Sequence, residues 1–247
     1  MASTNVVRKS LPSAVADGSE ASNWGARYGE QIVQPLHGSK HALAEVGCYF
    51  VATSPTPMTG IALTTSITTF AETAGAVGDS LLIKNTETGS ANSAKRIYPD
   101  YLRIRNVTQA PTSATDWYIS GVLDYSAVRY TSGGSQITPI NANGDSSLAS
   151  VATIYFGALT TAIPASRRLL FSLMVLPRLM IIKDMIILQF GGISGDVIPP
   201  NSAAIMDVAY NVPPCVIGPA QNLTLKMWGT ANAAAAQFEF DFGYWEK

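Results

Sequence analysis

The chain has 247 residues, of which 47% are hydrophobic and only 13% charged, against about 25% charged in an ordinary soluble domain. Lys+Arg 16 and Asp+Glu 17 leave a formal net charge of −1, which excludes the basic field of a nucleic-acid binder and an equally strong acidic one. The apolar content excludes wholesale disorder, and a surface with so little charge favours association over a solitary monomer.

In chain order, residues 1–38 read as an extended N-terminal arm, rich in Ser, Ala, Gly and Asn with no sustained period. Arg8 and Lys9 are followed by the polar stretch Ser10 to Ser22, so the apolar core of a secretory signal is not expected here. Trp24, Tyr28 and Ile32 are costly to leave wet, which makes them candidate interface residues by which the arm lies across a neighbouring subunit. Residues 39–247 are expected to form the folded domain. Its punctuation is all-β: apolar or alternating runs over 46–53, 79–84, 97–107, 117–131, 150–159, 168–176, 179–190, 203–210, 222–228 and 236–245, bounded by Gly, Pro, Asn and Ser clusters.

The last run is the clearest. Phe238, Phe240, Phe242 and Tyr244 alternate with Glu239 and Asp241 in strict period two, which predicts a strand with one face in the core and acids on the solvated face. Thr131 to Ser135 and Asn141 to Asp145 are predicted turns, and only Ala233 to Gln237 suggests a helix. The apolar stretch Leu169 to Phe190 is broken by Pro177, Arg178, Lys183 and Asp184, so no membrane-spanning segment is expected. The expected fold is an all-β, two-sheet antiparallel β-sandwich of jelly-roll type carrying the arm.

Catalytic and cofactor chemistry is sparse. His37 and His41 stand four apart and near Cys48, but Pro35, Gly38 and Ser39 break a helix there, so no metal site is expected. No Gly-x-Ser-x-Gly elbow, Walker loop or GxGxxG occurs, and the glycine-rich Gly191 to Gly195 reads as a loop needing positive φ. No enzyme, cofactor, catalytic residue or nucleic-acid partner is expected. Cys48 and Cys215 read as buried thiols. Arg103 and Arg105 share one strand face and are candidate interface residues, positioned to pair with carboxylates of a neighbouring chain. Trp117, Tyr118, Trp228 and Trp245 could stack on sugars, which leaves glycan binding open.

Tyr49-Phe50-Val51-Ala52-Thr53 with Pro55-Thr56-Pro57, Tyr130-Thr131-Ser132-Gly133-Gly134, and the stretch from Pro213-Pro214 through Phe240 and Phe242 to Trp245-Glu246-Lys247 resemble virion structural proteins of tailed bacteriophages. The resemblance spans roughly residues 30–247. It implies a jelly-roll capsid cement or decoration protein, a homo-oligomer and commonly a trimer, made in the host bacterial cytoplasm and bound to the major capsid protein on the capsid surface. A single jelly-roll major coat protein and a virion carbohydrate-binding module are the alternatives.

Overall fold

Alternation of large apolar and polar side chains, with no helical period to compete, drives the chain into strands that each bury one face. The computed structural model describes residues 39–54, 56, 59–62, 79–88, 94–108, 116–125, 129–162, 167–177, 182–192, 207–229 and 237–247. Contacts divide the chain into a unit of residues 1–42 and a unit of residues 43–247, and the sandwich belongs to the second. The expected arm anchors Trp24, Tyr28 and Ile32 lie outside the described residues.

The elements are α1 (Ser39–Glu45), β1 (Tyr49–Thr53), β2 (Ile61–Ala62), β3 (Asp79–Asn85), β4 (Ile97–Asn106), β5 (Asp116–Asp124), β6 (Tyr130–Ile137), β7 (Ile140–Asn141), β8 (Ala152–Thr161), β9 (Arg167–Pro177), β10 (Met185–Phe190), β11 (Asp207–Val212), β12 (Asn222–Gly229) and β13 (Gln237–Glu246). One sheet runs β11-β10-β4-β13-β1-β7, with β2 also paired to β13; the other runs β6-β8-β3-β12-β5-β9. Four antiparallel pairs are nested in chain order: β1 with β13, β3 with β12, β4 with β10 and β5 with β9. That nesting is one long hairpin rolled on itself, and it yields the two four-stranded layers β1-β13-β4-β10 and β3-β12-β5-β9 of a jelly roll. The remaining strands extend the layers sideways, and among the described residues only β10 and β11 pair in parallel.

The core is the slab between the sheets. Phe238, Phe240, Phe242 and Tyr244 of β13 meet Leu223, Leu225 and Met227 of β12 there, all buried. Ring contacts add to burial: Trp117 meets Phe238 edge-on at 5.4 Å, and Phe156 packs on Phe240 at 4.3 Å. A void bordered by Leu81, Ile104, Ile119, Phe156, Leu225 and Phe240 holds about 10 Å³. It is apolar and no larger than the space a single water needs, so it is a packing gap with no room for a ligand.

Three local expectations are corrected. Ser39 opens a helix instead of breaking one; α1 ends where Gly47, at φ 74°, donates its N–H to the Ala44 carbonyl and Cys48 donates to that of Leu43. Thr131 to Ser135 lies inside β6: Gly133 and Gly134 do adopt positive φ, but as irregularities in strand pairing with β8. Gln237, the last residue of the predicted helical segment and also within the predicted strand run 236–245, opens β13, while residues 233–236 lie outside the described residues.

Candidate functional surface

The void in the described core has no room for a ligand, so the outer faces and edges of the sheets are the candidate surfaces. On the outer face of the seven-stranded sheet, register sets the chemistry in rows. Arg105 stands beside Glu239 and Arg103 beside Asp241 on the adjacent strands β4 and β13. Their ion pairs span 3.4 Å and 3.7 Å, with the arginine side chains about half exposed. Both guanidinium groups therefore reach carboxylates of their own chain. Glu239, expected on a solvated face, is buried by this pairing. Exposed pairs of this type contribute about 0–1 kcal/mol each, so they orient charge more than they hold the sheet.

One row further, Gly243 sits between Tyr101 and Val51. A side chain there would collide with two tyrosines: a Cβ would lie 2.3 Å from Cε1 of Tyr101 and 2.6 Å from the Tyr49 hydroxyl. Through this gap Tyr49 donates its hydroxyl to the Asp100 carboxylate at 2.7 Å. Asp100 is the residue left over where the β4–β13 register shifts next to Gly243, a bulge that re-aims its side chain. Burial first, then the hydrogen bond and charge of Asp100, push the Tyr49 phenol well above its ordinary range. Tyr101 carries the Arg103 guanidinium 5.6 Å above its ring. At the end of the face Trp245 stacks on Tyr98, with centroids 5.6 Å apart and planes within 1°.

At the same end, Glu246 is a structural clasp. Its Oε1 accepts from the Ser150 hydroxyl at 2.6 Å and from the Val151 N–H at 2.9 Å, while Lys95 lies 3.8 Å from Oε2. Ser150 also shares a 2.6 Å hydrogen bond with the Tyr244 hydroxyl. Burial raises the Glu246 carboxyl above its ordinary value, against the hydrogen bonds of Ser150 and Val151 and the charge of Lys95, which lower it. The clasp ties the connection between β7 and β8, which belong to different sheets, to the end of β13.

Sequence reasoning missed one group. Arg129 is fully buried and forks onto Asp124, its Nε and Nη2 donating to the two carboxylate oxygens, the second at 2.9 Å. A spacing of five residues across a strand end carries no signal for such a pair. The other side of the second sheet is unusual too: Leu82, Ser120, Val122, Thr224 and Lys226 are buried although none belongs to the central core cluster.

The remaining sequence candidates separate. Trp117 and Trp228 are buried, and Trp228 stacks with half-buried Tyr118 at 5.5 Å, so of the four aromatics considered for sugars Trp245 and Tyr118 alone keep substantial exposed area. His41 is exposed on α1, and His37 lies outside the described residues. Gly191 has the expected positive φ, whereas residues 193–195 are outside the described set. Cys48 and Cys215 are both free thiols and half-buried; burial pushes Cys215 up to about 12. Among the described residues no group of three or more His, Cys, Asp or Glu could hold a metal ion, and no helix is long and apolar enough to cross a membrane. The chain matches no protein-family model, no curated protein and no solved structure.

Proposed function

We propose that this chain is a structural virion protein of a tailed bacteriophage, a capsid cement or decoration protein that stabilises the head through contacts with its own copies and with the major capsid protein. The observation that carries this reading is the nested pairing of eight strands around a filled core, an architecture used for viral shell subunits as well as for lectins. Fold alone does not assign function, so the reading also leans on the resemblance of Tyr49–Thr53 and the C-terminal stretch to virion proteins. The ionic side chains on the described sheet face are engaged within the chain, as a scaffold requires. Function is then carried by surface area and mass action.

A major coat protein is the second reading, favoured by the same nested roll. Light scattering on the purified full chain, with electron microscopy of the same sample, separates the two. A discrete oligomer of a few copies that binds phage heads supports the cement role. Closed shells of many copies formed from this chain alone support the coat role, and a monomer at micromolar concentration in moderate salt refutes both.

A further inference from the structure

The ends of a sheet present backbone N–H and C=O groups that template another strand, and most of these ends are blunted here. The strands β2 and β7 are two residues long. In β6 the register with β8 breaks twice, around Thr131 and Gly134. In β9 it breaks twice against β5, and the strand opens with Arg167 and Arg168. Among the described residues the β11 edge has none of these defences. Its pairing with β10 runs unbroken from Asp207 beside Met185 to Val212 beside Phe190, and DVAYNV contains no Pro, Lys or Arg.

Burial makes the same point from the core side. Ile186 and Leu188 of β10 are completely buried, whereas Val208 and Tyr210, beside them on β11 and facing the same core, are half-buried. Among the described residues the apolar layer thins at this edge.

We propose that two copies of this chain pair their β11 edges antiparallel about a two-fold axis at Ala209, joining two seven-stranded sheets into one. The strand is self-complementary in that register. Val208 faces Tyr210 of the partner subunit on the core side, while on the outer side Ala209 faces its own symmetry mate and Asp207 faces Asn211 of the partner subunit. No like charges meet, and every contact made in one direction recurs in the other, as an isologous interface demands. The contact does not depend on the virion reading, and its two-fold symmetry separates it from the three-fold clustering that the resemblance implies.

The test is a symmetric cross-link in the full chain with Cys48→Ser and Cys215→Ala. Cysteines directly opposite in an antiparallel pair fall within disulfide reach. Ala209→Cys is expected to give a covalent dimer on mild oxidation, whereas Asn211→Cys, opposite Asp207, and Leu148→Cys, on an exposed loop, are expected to remain single chains. Ala209→Lys sets two ammonium groups against each other and is expected to weaken dimerisation about tenfold in light scattering, with the melting curve unchanged at dilutions where both proteins are single chains. Absence of the Ala209→Cys dimer overturns the proposal, as does equal cross-linking at all three positions. Should Ala209→Lys fail to fold, the three cysteine variants decide alone.

Discussion

Gly243→Ala tests whether the outer face of the seven-stranded sheet is built around a missing side chain. A methyl group at this position would sit 2.3 Å from the Tyr101 ring and 2.6 Å from the Tyr49 hydroxyl, where carbon contacts settle near 3.5–4.0 Å. Something must move by more than an ångström. If the Tyr101 ring swings out, it loses Arg103; if Tyr49 retreats, Asp100 loses its 2.7 Å hydrogen bond. Overpacking of this kind costs about 1–3 kcal/mol, and the lower unfolded-state entropy of alanine returns about 0.4–1 kcal/mol. A net loss of about 1 kcal/mol is expected, a drop of about 2–4 °C in Tm for a chain of this size. The assay is thermal and urea unfolding of wild type, Gly243→Ala, Tyr101→Ala and the double variant. In the Tyr101→Ala background the nearest obstacle is gone, so the second substitution should cost at least about 1 kcal/mol less. An unchanged Tm for Gly243→Ala, or an equal penalty in both backgrounds, refutes the reasoning.

Asp124→Ala leaves the Arg129 guanidinium buried without its carboxylate, and urea unfolding should show a loss of about 3–5 kcal/mol; replacing both residues with Asp124→Leu and Arg129→Met should cost much less. For Glu246 the folded-state carboxyl binds its proton more tightly than the unfolded one, whose ordinary value is 4.5. Its contribution is therefore fully present below 4.5 and falls as pH rises through the raised folded-state value. Comparing Tm against pH for wild type and Glu246→Gln should show this downward component in wild type alone; parallel profiles would reject it. With its thiol pushed up to about 12, Cys215 should resist iodoacetamide at pH 8 in the folded protein and react once urea is added, as peptide mass mapping would show.

Most of the strands were legible because each buries one face of a period-two run, as the aromatic series of β13 illustrates. What lies beside a strand was not legible. Glu239 looked like a solvated acid because nothing in its own segment announces that Arg105 stands next to it, and that neighbour is set by the pairing of segments more than a hundred residues apart. The Gly133-Gly134 pair reads as a turn because glycine takes positive φ at no steric cost, but such a backbone serves a bulge as well as a turn, and the choice rests on the pairing with β8. Likewise Trp117 and Trp245 have the same chemistry; one is buried in the core and the other stacks on the outer face, according to the side of the sheet their register assigns.

The nested pairing also governs when the molecule can become a molecule. Residues 237–247 supply the strand lodged between β1 and β4, so the first strand of the sandwich waits nearly two hundred positions for its neighbour. Until that segment leaves the ribosome, the apolar faces of β1, β4 and β10 have no centre to close upon. Long-range pairings of this kind are slow to form and leave sticky intermediates. A nascent chain of this protein should therefore depend on chaperones until residues 237–247 have emerged, and the same dependence keeps half-made copies out of any assembly.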